Sequence, residues 1–171
     1  MSEEQQVLLQ RFAGLATQQG LVVSTAESCT GGMIAAACTD LAGSSQWFDR
    51  GFVTYSNEAK QDLLGVTEET LLRQGAVSAA TVAQMAQGAL ARSKATIVVA
   101  VSGIAGPGGG TVEKPVGTVW LAWASDDFGH RTRHFLFSGD RADIREQAVT
   151  EALRGLITCI VSDASSVPVR H

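Results

Sequence analysis

Apolar residues recur at helical spacing over residues 3–19, where Val7, Leu8, Phe12, Leu15 and Ala16 share a face and Gly20 supplies a stop. The run LVVST (21–25) predicts a short strand, and the small-residue run at 31–42 predicts a helix that Ser28 or Thr30 can cap. WFDRGFVTYS (47–56) reads as a strand, and the helix after it, 57–66, has Asn57 as N-cap and Gly65 as stop. Residues 67–75 repeat the cap-and-stop pattern, and a long helix is predicted from Ser78 to Arg92. ATIVVAVSG (95–103) is apolar without alternation, as in a strand buried on both faces. Two β-rich segments follow at 114–125 and 130–139, and a last helix spans 141–161.

Strands alternate with helices early, and two strands are adjacent late. That order predicts the α/β class: a three-layer α/β/α domain with a mixed sheet and helices on both faces. One domain is expected over 1–165, with a frayed tail at 166–171.

Composition narrows the function classes. The chain has 171 residues, 45% hydrophobic and 18% charged, which is enough apolar side chain for a sizeable core. A net charge of −4 argues against a general nucleic-acid binder, which would show a basic face. Cys29, Cys38 and Cys159 are widely spaced, and only His130, His134 and His171 could join them, so no metal site is expected. The acidic, polar N-terminus is unlike a signal peptide, and no apolar stretch reaches the roughly 20 residues a membrane span needs. A cytoplasmic protein that binds neither membrane nor nucleic acid is the expectation.

Three stretches carry candidate chemistry. TAESCTGG (25–32) places Ser28 and Cys29 where a strand turns into a helix, and free backbone N–H groups there suit an oxyanion. A serine nucleophile needs a base, and lysine is scarce: Lys60 follows Tyr55, the only tyrosine, by five residues. Desolvation would lower the Lys60 pKa and free its amine to accept a proton. SGIAGPGGG (102–110) follows the most apolar strand, where α/β folds bind ligands. SGDRADIR (138–145) adds Arg141 and Arg145, whose guanidinium groups can hold a phosphate. Each stretch also has a structural reading: a helix cap, a solvated lysine, a plain loop, surface ion pairs.

Taken in order, TAESCTGG, GFVTYSNEAK, LLGV, GAVS, VSGIAGPGGG, EKPVGTVW and FSGDR resemble the CinA C-terminal-domain family over almost the whole chain. The resemblance implies a nicotinamide-nucleotide amidase activity. Nicotinamide mononucleotide would be hydrolysed to nicotinic acid mononucleotide and ammonia, in pyridine-nucleotide salvage, with no metal and no cofactor. It implies Ser28 as nucleophile, Lys60 as general base and Tyr55 as an assisting group. Thr30, Gly31, Ser102, Gly103, Gly106 and Arg141 become substrate-binding candidates, with Arg141 on the phosphate, Arg145 as its possible assistant, and N–H groups of Cys29 to Gly31 on the oxyanion. Threonine is common in the family where this chain has Ser102. The resemblance also implies a homo-oligomer. Larger relatives carry a further N-terminal domain resembling molybdopterin-binding proteins, for which this chain has no room.

Two alternatives stay open at this point. Cys29 could be the nucleophile, with Glu27 and Lys60 as an acid/base pair; consecutive side chains point different ways, so only one of Ser28 and Cys29 can face substrate. Alternatively, the chain binds a nucleotide without turning it over, with Ser102 the reason.

Overall fold

A computed structural model describes residues 1–165; residues 166–171, where a frayed tail was expected, lie outside the described residues. The apolar run at 95–103 is strand β3 (Ile97–Gly103), the centre of a five-stranded sheet. Its neighbours are β1 (Val23–Glu27) and β4 (Thr118–Ser125), and the edges are β2 (Phe48–Val53) and β5 (Gly129–Leu136). β1 runs parallel to both β2 and β3, while β3, β4 and β5 are antiparallel, so the sheet is mixed as expected.

Alternation along β3 explains why both faces are covered. Val99 and Val101 point into a core filled by α1 (Glu3–Gln19), α2 (Met33–Asp40) and α6 (Arg141–Ser165), including Phe12, Leu153 and Leu156. Val98 and Ala100 point the other way, to α3 (Asn57–Leu64), α4 (Glu68–Gln74) and α5 (Ala79–Ala91). The second face is built of small residues, Ala26, Ala100, Ala122 and Ala124, so α5 lies close to the sheet. At Gly88 of α5 a Cβ would stand 1.9 Å from the Leu64 carbonyl oxygen, so only glycine lets the end of α3 settle there. That contact fixes the helix that carries Lys60.

Boundaries shift where backbone chemistry overrides the apolar pattern. β1 starts two residues later than expected and runs on to Glu27. Ser56, not Asn57, caps α3: its Oγ accepts the Ala59 N–H at 3.0 Å. Residues 114–117 are loop, because Pro115 has no N–H to give a sheet and Gly117 has a φ of 97°. Among the described residues, no helix is long and apolar enough to cross a membrane.

Candidate active site

Strand alternation sends the two adjacent candidates, Ser28 and Cys29, to different sides of the sheet. Ala26 of β1 lies opposite Ala100 of β3, and Glu27 opposite Val101. One residue further on, Ser28 donates its N–H to the Val101 carbonyl at 3.0 Å and lines one cavity with Ser102. Cys29 falls on the opposite side: it is 6% exposed, belongs to the α6-side core, and its thiol is pushed up to about 11 by burial. Such a thiol carries almost no thiolate at neutral pH.

Lys60 meets Ser28 from α3. Its ammonium end is buried, with the residue 1% exposed, and Nζ lies 3.0 Å from Ser28 Oγ. The carbonyls of Thr54 and Tyr55 accept from Nζ at 2.9 and 3.1 Å. Burial lowers the Lys60 pKa, and no carboxylate pairs with it among the described residues. Nζ can donate to Ser28 Oγ when charged, and the hydroxyl also reaches the Tyr55 carbonyl at 3.4 Å; a neutral amine that gives two protons to the two carbonyls would turn its lone pair to the Ser28 hydroxyl. The position of Nζ is thus set by backbone oxygens of residues 54 and 55. Nothing in the sequence announces that, because a carbonyl has no residue type.

The turn after Ser28 is held from inside by Glu27. Expected capping by Ser28 or Thr30 does not occur: the N-cap position of α2 is Gly32, φ 105°, with no side-chain cap. Instead the Glu27 carboxylate, fully buried, accepts the N–H groups of Ile34 at 2.9 Å and Ala35 at 3.0 Å. It also accepts the hydroxyls of Thr30 at 2.6 Å and Thr25 at 3.2 Å. Glu27 reaches the helix start because it faces the α2 layer, one residue before Ser28 faces the other. Thr30 and Gly31 are therefore parts of the turn and do not line the cavity. Gly31 donates its N–H to the Ser28 carbonyl at 3.0 Å, and of the turn residues Cys29 to Gly31 it is Cys29 that borders the cavity. Replacing Glu27 by glutamine turns an amide N–H toward two of these donors. A loss of about 3 kcal/mol is expected, read as a thermal midpoint lower by roughly 6–12 °C.

The remaining walls come from the glycine-rich loop and α6. Ser102, Gly103 and Gly106 border a cavity of about 270 Å³, with Ala76, Val77, Ile104 and Ala105 as its apolar side. Ser102 is 1% exposed and borders the cavity. At Gly103 a Cβ would stand 2.6 Å from Val119 Cγ2 and 3.2 Å from Cys29 Sγ, so any side chain there would push the two walls apart. Arg141 donates to the Gly106 carbonyl at 2.9 Å and to the Tyr55 phenol at 3.2 Å at the cavity mouth. The Tyr55 ring is largely exposed and its phenol bonds to neither Ser28 nor Lys60; the Tyr55 group at the dyad is its carbonyl. Arg145 lies outside this cavity and bonds to carbonyls of the 28–31 turn.

The chain resembles proteins of known name across this whole architecture. A family model described as the CinA C-terminal domain matches residues 5–160. The nicotinamide-nucleotide amidohydrolase PncC of Escherichia coli (strain K12) is 53% identical over 157 residues, covering 91% of this chain and 95% of that protein. The protein of the same name from Enterobacter agglomerans is 57% identical over 136 residues, covering 80% and 83%. A crystal structure of the competence/damage inducible protein CihA from Agrobacterium tumefaciens matches with a TM-score of 0.91 and 51% identity, covering 92% of this chain and 96% of that one.

Proposed function

Because the chain belongs to the CinA C-terminal domain family, we propose that it is a nicotinamide-nucleotide amidohydrolase working through Ser28 and Lys60. The observation that carries the mechanism is the 3.0 Å approach of a desolvated Lys60 Nζ to Ser28 Oγ at the wall of a cavity. The PncC relatives support the substrate, nicotinamide mononucleotide.

Neutral Lys60 takes the Ser28 proton as Oγ attacks the carboxamide carbon. The Cys29 N–H steadies the oxyanion. The Lys60 ammonium then protonates the leaving nitrogen, and ammonia departs from a nicotinoyl ester on Ser28. Water adds to that ester, gives a proton to Lys60, and nicotinic acid mononucleotide is released as Ser28 regains its hydrogen. Ser102 is placed to donate to the substrate, and the apolar wall suits the pyridine ring. Arg141 binds the 5′-phosphate, and that remote contact positions the carboxamide. Cytoplasmic location and a homo-oligomer belong to the same proposal, supported by the family resemblance; sedimentation velocity reads the second.

Incubation of the purified protein with nicotinamide mononucleotide tests the reading, with ammonia and the acid product both measured. Equimolar release of the two is expected; ammonia no higher than in buffer would refute it. For Arg141→Met, kcat/KM for the mononucleotide is expected to fall by roughly 10- to 100-fold, as loss of a charge-assisted hydrogen bond predicts, with both KM and kcat affected because the phosphate contact positions the carboxamide. Hydrolysis of nicotinamide riboside, which lacks the phosphate, should fall much less, the remaining loss coming from the Gly106 and Tyr55 contacts. Steady-state kinetics on both compounds checks this.

A further inference from the structure

Arg145 lies one helical turn beyond Arg141 on α6, yet it serves a different wall. Its Nε donates to the Cys29 carbonyl at 3.0 Å, and a terminal nitrogen donates to the Thr30 carbonyl at 3.3 Å. No carboxylate pairs with it among the described residues. In a trans peptide the C=O and N–H point in opposite directions. Holding the Thr30 carbonyl therefore aims the Gly31 N–H, which reaches the Ser28 carbonyl at 3.0 Å. Holding the Ser28 carbonyl in turn aims the N–H of Cys29. The Cys29 carbonyl, fixed by Nε, locks the peptide between these two.

We propose that Arg145 is a positioning residue: by gripping the carbonyls of Cys29 and Thr30 it sets three successive peptide planes, and so aims the Cys29 N–H at the oxyanion. The inference rests on the reading of the cavity as an amidase site. It separates the two neighbouring arginines by role, Arg141 acting on substrate binding and Arg145 on the transition state. Gly31 has a φ of 58° and Gly32 of 105°, so the end of this turn has wide backbone freedom, and Arg145 adds a hold on its carbonyls to the one Glu27 gives the Thr30 side chain and the helix start.

The test compares Arg145→Met and Arg145→Lys with the parent protein in two assays. In the first, kcat and KM are measured on nicotinamide mononucleotide and on nicotinamide riboside. In the second, the rate at which a fluorophosphonate labels Ser28 is followed by intact-mass spectrometry, a reaction whose developing oxyanion needs the same N–H but which needs no nucleotide. For Arg145→Met, kcat is expected to fall about 100-fold on both compounds, with KM little changed and labelling slowed in parallel. Arg145→Lys, which keeps the charge and can reach one carbonyl, should lie between the two and covers the case in which the methionine variant does not fold. A rise in KM confined to the phosphorylated compound would make Arg145 a phosphate ligand and overturn the proposal. So would unchanged kcat and labelling in either folded variant. If the parent labels at Ser28 but releases no ammonia, the substrate reading fails, and the labelling rates alone still decide the role of Arg145.

Discussion

Ser28→Ala lowers ammonia release from nicotinamide mononucleotide by roughly 10⁴- to 10⁶-fold, the range seen when a hydrolase loses its nucleophile, while Cys29→Ala retains most of the activity. The two residues are consecutive, and the difference comes from the pleat. β1 delivers Ser28 to the side where Lys60 arrives and Cys29 to the side where α6 packs. The thiol is the better intrinsic nucleophile, but burial pushes it up to about 11, so its reactive form is scarce at neutral pH. Single-turnover mass spectrometry adds a direct reading: a nicotinoyl adduct should map to Ser28 in the parent and be absent from Ser28→Ala. Thermal unfolding should show both variants folded. An active Ser28→Ala beside an inactive Cys29→Ala would reverse the assignment.

Much of the architecture was legible because the apolar pattern of this chain is clear. The unbroken run at 95–103 has the length and pattern typical of a doubly covered strand, and it is the sheet's centre. Lysine scarcity made Lys60 a candidate base, but a solvated helix lysine read equally well, and it was the resemblance to the CinA C-terminal-domain family that paired it with Ser28. What the pattern could not give was direction at the turn. Glu27 entered only as an acid/base partner in the Cys29 alternative, yet it ends a strand facing α2 and satisfies the helix start that Ser28 or Thr30 was expected to cap. Spacing put Thr30 and Gly31 near the site; side-chain direction and one backbone hydrogen bond turn them away from it. Arg141 and Arg145 look equivalent in SGDRADIR, and only their partners, the loop carbonyl of Gly106 for one and the 28–31 turn for the other, tell them apart.

Lys60→Met should abolish turnover, by at least about 10³-fold, since removing a general base forfeits most of its contribution. Lys60→Arg should be equally inactive, because a guanidinium stays protonated and cannot take the Ser28 proton. In the parent, kcat/KM should rise with pH as the Lys60 ammonium gives up its proton, and level off below the ordinary lysine value of 10.5, because burial lowers the Lys60 pKa. The same lowering makes a stability prediction with a definite sign. Below the folded-state pKa, both folded and unfolded chains hold the proton, and the fold carries the full penalty of a buried ammonium. Between that pKa and 10.5 the unfolded chain binds a proton that the folded chain does not, so folding stability rises with pH. Above 10.5 neither state holds it and the gain stops. Lys60→Met lacks this titration. The difference in thermal midpoint, parent minus variant, should therefore grow as pH increases through this window, each kcal/mol appearing as about 2–4 °C. Paired melting curves across that range read it directly, and a flat difference would mean that Lys60 is charged in the folded protein and cannot serve as the base.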